Sequence, residues 1–260
     1  MTDVVLVETV GATRIVTINR PAARNALTLP VLALMRSAVD AASGDPALRC
    51  VVIAGAGGHF SAGADLRQTV LEDPDLLDHL DAYMDAFHGL IKAVVRCDKP
   101  VIAMMDGAAV GFGADLAFAC DLRVASGRAY AQEKFVKIGL MPDGGGTFFL
   151  SRLVGTARAL QWILLAERLD AAELHRLGVV ARVVEADDLR ESTLSMARTL
   201  EAGPPLAFAA IKRAVYASLG SLDGALDRER QEQIRLLRSA DVAEGVAAWA
   251  DKREPRFEGR

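Results

Sequence analysis

The chain has 260 residues, 52% hydrophobic and 25% charged, with a formal net charge of −4. That length and apolar share suit one large domain, or one domain with a small C-terminal extension, and exclude an intrinsically disordered chain. There is no dense basic run, which excludes a broad phosphate-contacting face, so no nucleic-acid partner is expected.

Met1-Thr2-Asp3-Val4 lacks a basic region followed by a long apolar stretch. No signal peptide or membrane span is expected, and the expected location is cytoplasmic. Cys50, Cys97 and Cys120 have no metal-ligand spacing, and each lies in or beside an apolar run. They read as buried free thiols in a reducing compartment.

In chain order, Val4–Val10 and Ile15–Ile18 are strand-like runs separated by Gly11-Ala12-Thr13, a hairpin pattern closed by Asn19-Arg20-Pro21. Thr28 suits an N-cap, with Pro30 in the first turn. Val31, Leu32, Met35, Ala38 and Val39 follow helical spacing, and Gly44-Asp45-Pro46 ends that helix. Cys50–Ala54 is a buried-strand signature. From Asp73, a second N-cap followed by Pro74, to Arg96, the residues Leu77, Leu80, Met84, Phe87, Ile91 and Val94 make one apolar helical face. A strand over Val101–Met105, a short helix over Ala114–Ala119 and a strand over Leu122–Ala125 follow. Met141–Thr147 reads as a loop. The rest is mostly helical, clearest over Glu185–Leu200 and Pro205–Ser218, with a short strand at Ala181–Val184. Repeated strand–turn–helix units indicate an α/β layered core. Pro204-Pro205 marks a hinge, dividing a core over 1–203 from a helical extension over 204–260.

Two turns carry the chemistry. His59-Phe60-Ser61-Ala62-Gly63-Ala64-Asp65-Leu66 leaves the strand at Cys50–Ala54, and Gly107 to Asp115 leaves the strand at Val101–Met105. Their small residues let a ligand approach the main chain. A pair of such turns can aim two N–H groups at one point, an arrangement that binds an oxyanion and polarises a carbonyl, above all that of a thioester. Taken singly, each turn is equally well explained as a tight connection or a helix entry with glycines for packing. Asp115 falls in the first turn of a helix, where a carboxylate is also favourable on dipole grounds alone. Asp143 stands in Pro142-Asp143-Gly144-Gly145-Gly146, which has more glycines than a turn needs.

The histidines, His59, His79, His88 and His175, are scattered. A metal site and a Ser-His-Asp hydrolase are therefore not expected. No phosphate-loop or dinucleotide fingerprint occurs, and no cofactor is expected.

Four segments resemble one family in order and spacing: Asn19-Arg20-Pro21 with Asn25-Ala26-Leu27, Phe60 to Leu66, Gly107 to Asp115 followed by Ala119-Cys120-Asp121, and Ile138 to Gly146. Together with the ending Lys252-Arg253-Glu254-Pro255-Arg256-Phe257, they are similar to the enoyl-CoA hydratase/isomerase (crotonase) family over nearly the whole chain. The resemblance implies an α/β spiral of ββα units with a helical C-terminal region that trimerises, giving a homotrimer or homohexamer. It implies an acyl-CoA substrate, with coenzyme A part of the substrate rather than a cofactor. The thioester oxygen would accept from the main-chain N–H groups of Ala64 and Phe112. Ala62 and Leu66 would meet the adenine end, Arg24 and Lys252 the CoA phosphates, and Asp65 and Gly111 complete the binding set. Many members have glycine where this chain has Phe112.

The acids decide which reaction the resemblance implies. Hydratases of the family use two glutamates. The first position falls on Asp115 and the second on Phe135, with Glu133 two residues out of register. The run Phe135 to Asp143 resembles the loop of 1,2-epoxyphenylacetyl-CoA isomerase and related enoyl-CoA isomerases, in which the aspartate after the proline is the catalytic acid. Asp143 is therefore the first choice of base and Asp115 the second acid. Hydrolysis or ring chemistry on a CoA thioester remains an alternative, as does a non-catalytic acyl-CoA-binding protein.

Overall fold

The computed structural model describes residues 3–68, 80–217, 239–251, 253 and 255–260. Strands β1 (Val5–Val10) and β2 (Thr13–Ile18) form the expected antiparallel hairpin, which turns at Gly11, where φ is 60°. Thr13 belongs to β2 rather than to the turn. Helix α1 (Leu29–Gly44) follows. Thr28 holds its N-cap position, but the hydroxyl makes no capping bond. Strand β3 (Cys50–Gly55) lies parallel to β2. Helix α2 (Leu80–Arg96) carries the apolar face from Phe87 to Val94; Asp73, Pro74 and Leu77 lie outside the described residues.

After β4 (Val101–Met105) come β5 (Ala108–Val110), α3 (Phe112–Ala119), β6 (Leu122–Ser126) and β7 (Tyr130–Gln132). Next are α4 (Gly146–Val154), α5 (Thr156–Leu165), β8 (Leu169–Asp170), α6 (Ala171–Arg176) and β9 (Arg182–Val184). Helices α7 (Leu189–Glu201), α8 (Pro205–Ala217) and α9 (Ala240–Asp251) complete the described elements. A six-stranded sheet runs β1-β2-β3-β4-β6-β9, parallel except at the hairpin, and a smaller sheet runs β5-β7-β8.

Alternation of side chains along the parallel strands covers both faces of the large sheet. Ile15, Cys50, Val52, Ile102 and Val124 pack against Leu189, Met196 and Ala197 of α7. Val16, Val51, Ile53, Val101 and Ala103 point the other way, into a core shared with α1, α2 and α3. Helix α3 is buried at all eight residues, so it threads the core and carries no solvent face. It begins at Phe112, two residues earlier than its apolar pattern predicts.

β5, β7 and β8 were not expected; two or three residues are too few for periodicity to register. They nevertheless bring the chemistry together. Single bridges pair Ser61 with Ala109 and Leu27 with Ala64, stitching the turn after β3 to β5. The three cysteines are free and buried. Among the described residues, no helix is long and apolar enough to cross a membrane, and no cluster of His, Cys, Asp or Glu could hold a metal ion.

Candidate active site

The first turn is held by Asn25. This buried residue adopts a left-handed φ of 58°, one its short amide tolerates. Its side-chain nitrogen donates to Ala56 O at 2.8 Å and His59 O at 2.7 Å, while its oxygen accepts from Arg20 N at 3.0 Å. The Ser61 hydroxyl donates to Asn25 O at 2.9 Å and accepts from Gly63 N at 3.1 Å. Leu27 N donates to Gly63 O, and Asp65 N donates to Leu27 O. In a parallel exchange of this kind the N–H between those two residues points to the opposite side. That N–H belongs to Ala64.

The second turn abuts the first. Ser61 N donates to Ala108 O at 2.8 Å, and Val110 N donates to Ser61 O at 2.9 Å. Gly111, with φ of 52°, then turns the chain into α3 and leaves Phe112 as the first helical residue, whose N–H has no intrahelical partner. Gly63 sits where the turns touch. A Cβ added to it would lie 2.6 Å from Val110 O and 3.3 Å from Phe112 N, and its φ is 90°. Among the described residues neither the Ala64 nor the Phe112 N–H meets an acceptor. Two unpaired donors, one at the positive end of a helix, thus stand on adjoining turns.

Acids gather beside them. Asp115, fully buried in the first turn of α3, accepts from Gly144 N at 2.8 Å through Oδ2, while its Oδ1 has no partner. Glu133, directly after β7 and also buried, has no hydrogen-bond partner for either carboxyl oxygen among the described residues. The two carboxyls converge on Gly146. A Cβ there would collide with Asp115 Oδ1 and lie 2.9 Å from Glu133 Oε1. Burial pushes the Asp115 carboxyl up to about 7, with the facing Glu133 carboxyl opposing. Burial, then the charge of Asp115, pushes Glu133 well above the usual carboxylate range.

Asp143 stands on the loop leading to α4, and its Oδ1 is buried without a partner. Burial raises its carboxyl, with His88 on α2 opposing. The surroundings are apolar. The Phe112 ring meets Phe87 edge-on at 4.6 Å, Gly111 lies 3.7 Å from the Phe135 ring when given a Cβ, and Gly144 is pressed against Phe112 and Asp115.

The sequence model for the enoyl-CoA hydratase/isomerase family matches residues 8–260. The chain belongs to that family. A "Probable enoyl-CoA hydratase" of Rhodobacter capsulatus is 38% identical, covering 95% of this chain and 94% of its own. The 1,2-epoxyphenylacetyl-CoA isomerase of Escherichia coli is 35% identical, covering 94% of each chain. Among solved structures, an enoyl-CoA hydratase from Polaromonas sp. superposes with a TM-score of 0.92 at 36% identity, covering 97% of this chain and 99% of that one. The α/β fold expected from the resemblance, with its C-terminal helices, is thus the crotonase fold, and the chain is an enzyme of that family.

The crotonase fold brings Ala64, Gly111, Phe112, Asp115 and Asp143 of the sequence-predicted set to one place. Arg24 is exposed, and its carbonyl accepts from Ala62 N at 2.9 Å, so these two lie together at the mouth of the first turn, with Leu66 exposed beyond. The Asp65 carboxylate is paired with Arg20 at 2.9 Å, which fastens the turn instead of presenting the charge to a ligand. Lys252 lies outside the described residues. Glu133 was not among the predicted site residues. Counting back from Pro142 put it out of register, but β7 ends at Gln132 and the next side chain turns inward beneath the Gly144–Gly146 loop. The available signal was an acid set between the apolar runs Ala129–Ala131 and Phe135–Val136.

Proposed function

We propose that this enzyme shifts the double bond of an enoyl-CoA thioester, with Asp143 as the base and the Ala64 and Phe112 N–H groups as the oxyanion hole. The observation that carries this reading is the unpartnered, buried Asp143 oxygen on a loop packed against the turn that bears the free Phe112 N–H. The carboxylate takes an α or γ proton from the thioester. The carbonyl oxygen becomes an enolate oxygen and accepts from both amides, each contributing on the order of 3 kcal/mol in the transition state. The same carboxyl returns the proton at the other end of the dienolate, so no net charge is created. Burial makes Asp143 a stronger base than an exposed aspartate, which suits the task. The loop from Phe135 to Asp143 supports a likeness to the 1,2-epoxyphenylacetyl-CoA isomerase type within the family.

In this reading Ala62 and Leu66 meet the adenine end through their main chains, Arg24 and Lys252 meet CoA phosphates, and Gly111 and Asp65 shape the turns. Residues 204–260 form the oligomerisation region of a cytoplasmic homotrimer or homohexamer. Hydration is the second reading. The carboxyl pair Asp115–Glu133 favours it, since a hydratase needs two acids around one water, although here the two acids face each other under a loop.

Spectroscopic assays with 3-enoyl-CoA and 2-enoyl-CoA separate the readings. Isomerisation predicts conversion of 3-enoyl-CoA and a loss of about 10²- to 10⁴-fold in kcat for Asp143→Asn. Turnover of neither substrate, or full activity in that variant, would overturn it. Water addition to 2-enoyl-CoA that survives Asp143→Asn and fails in Asp115→Asn would establish the second.

A further inference from the structure

The reading above leaves Glu133 without a task, yet the residue is 3% exposed and neither carboxyl oxygen has a partner among the described residues. An unpaired buried carboxylate is too costly to keep without one. Facing it across the space above Gly146 is the equally unpartnered Oδ1 of Asp115. The other Asp115 oxygen already holds Gly144 N at 2.8 Å. Gly144 and Gly146 flank the αL residue Gly145, and Asp143 is the residue just before them. Cβ atoms at Gly144 and Gly146 would strike Asp115, so the loop lies directly on that carboxyl.

We propose that Glu133 is a positioning residue: as a neutral acid it donates to Asp115 Oδ1, and the resulting carboxyl pair clamps the Gly144–Gly146 loop that aims Asp143. Two acids of like charge cannot both ionise at contact distance, so one proton joins them and a single negative charge remains. That charge lies beside the first amides of α4, where the helix dipole favours it. The groups facing the pair are Asp143, from the loop, and behind it His88, from α2, which faces Asp143. The neighbouring Gln132 points away, its side-chain nitrogen donating to Ala166 O at 2.8 Å. Rising pH removes the shared proton, turns the clamp into two facing charges and releases the loop.

The inference rests on the base assignment to Asp143 only for its kinetic consequence; the shared proton is detectable without turnover. Glu133→Gln keeps a neutral donor at every pH, whereas Glu133→Ala has none. In the wild-type enzyme, infrared difference spectra should show the carbonyl stretch of a protonated buried carboxyl at neutral pH, and Glu133→Gln should lack it. If the enzyme isomerises enoyl-CoA, Glu133→Ala should lower kcat on the order of a hundredfold with KM little changed, the size of effect a small misplacement of a base produces. Glu133→Gln should keep near-wild-type kcat and lose the alkaline fall of the wild-type profile. Absence of the protonated-acid band in the wild type overturns the proposal whatever the enzyme's substrate. So does an alkaline limb in Glu133→Gln identical to the wild type's. Should Glu133→Ala fail to fold, the Glu133→Gln profile and the infrared band decide alone.

Discussion

Helix α3 has a charged cluster at each end, both buried, and the two are handled in opposite ways. At its C-terminal end every group is answered. The Arg123 guanidinium donates to the carbonyls of Ala117, Phe118 and Cys120, acceptors that the helix end leaves over, and to that of Val179. Asp121 meets Lys212 at 2.7 Å and Val101 N at 2.8 Å, and Lys212 also donates to Val94 O at 2.9 Å. At the N-terminal end three acids, Asp115, Glu133 and Asp143, have oxygens with no partner among the described residues, and two main-chain donors meet no acceptor there. Satisfied buried charge holds a fold together; unsatisfied buried charge next to free donors is poised for a reacting molecule.

This contrast can be broken at either end. Removing the cation from the satisfied end, in Lys212→Ala, should cost about 3–5 kcal/mol of stability, because Asp121 is then buried unpaired. Urea denaturation reads that loss. The kcat/KM of the enzyme that stays folded should be unchanged; a loss below about 1 kcal/mol would put this pair among surface-like bridges instead. At the other end, Gly63→Ala should lower kcat by about 10²- to 10³-fold, the effect of losing one oxyanion donor, since the new methyl pushes Val110 and Phe112 away from the first turn. Wild-type kcat in a folded Gly63→Ala protein would mean that the two turns do not jointly form the hole.

A smaller effect sharpens the comparison by pH. Burial raises the Asp115 carboxyl from its ordinary 3.8 to about 7 in the folded protein. Between those values the folded state holds a proton the unfolded state has released, and Glu133 also holds its proton above its ordinary range, so stability should decline as pH rises through that window and beyond it. Thermal unfolding midpoints of wild type and Asp115→Asn/Glu133→Gln, measured from pH 4 to 8, should diverge in slope. The residual slope in the double variant belongs to Asp121 and Asp143, whose carboxyls burial also raises. Parallel slopes would show that the acid pair carries its proton no more tightly than an exposed one.

Much of this molecule was legible before its structure. Apolar runs such as Cys50–Ala54 and Val101–Met105 announced buried parallel strands, and the helical spacing from Phe87 to Val94 placed the face of α2 on the core. Local signals of this kind survive because each needs only a handful of neighbouring residues to agree with one periodicity. The two small-residue turns likewise raised the expectation of an oxyanion hole, and the resemblance carried by Phe135 to Asp143 raised that of Asp143 as the acid. What the sequence could not express was proximity across the chain. Ser61 meets Ala109 through a single bridge, β5 and β7 are three residues long, and Glu133 reaches Asp115 from eighteen positions away. Such contacts leave no periodic trace, because whether a side chain turns toward a neighbour or away from it is decided by how strands and loops pack. Residue types therefore determined which chemistry this chain can carry, and tertiary packing alone decided which acids face each other and which amides stand free.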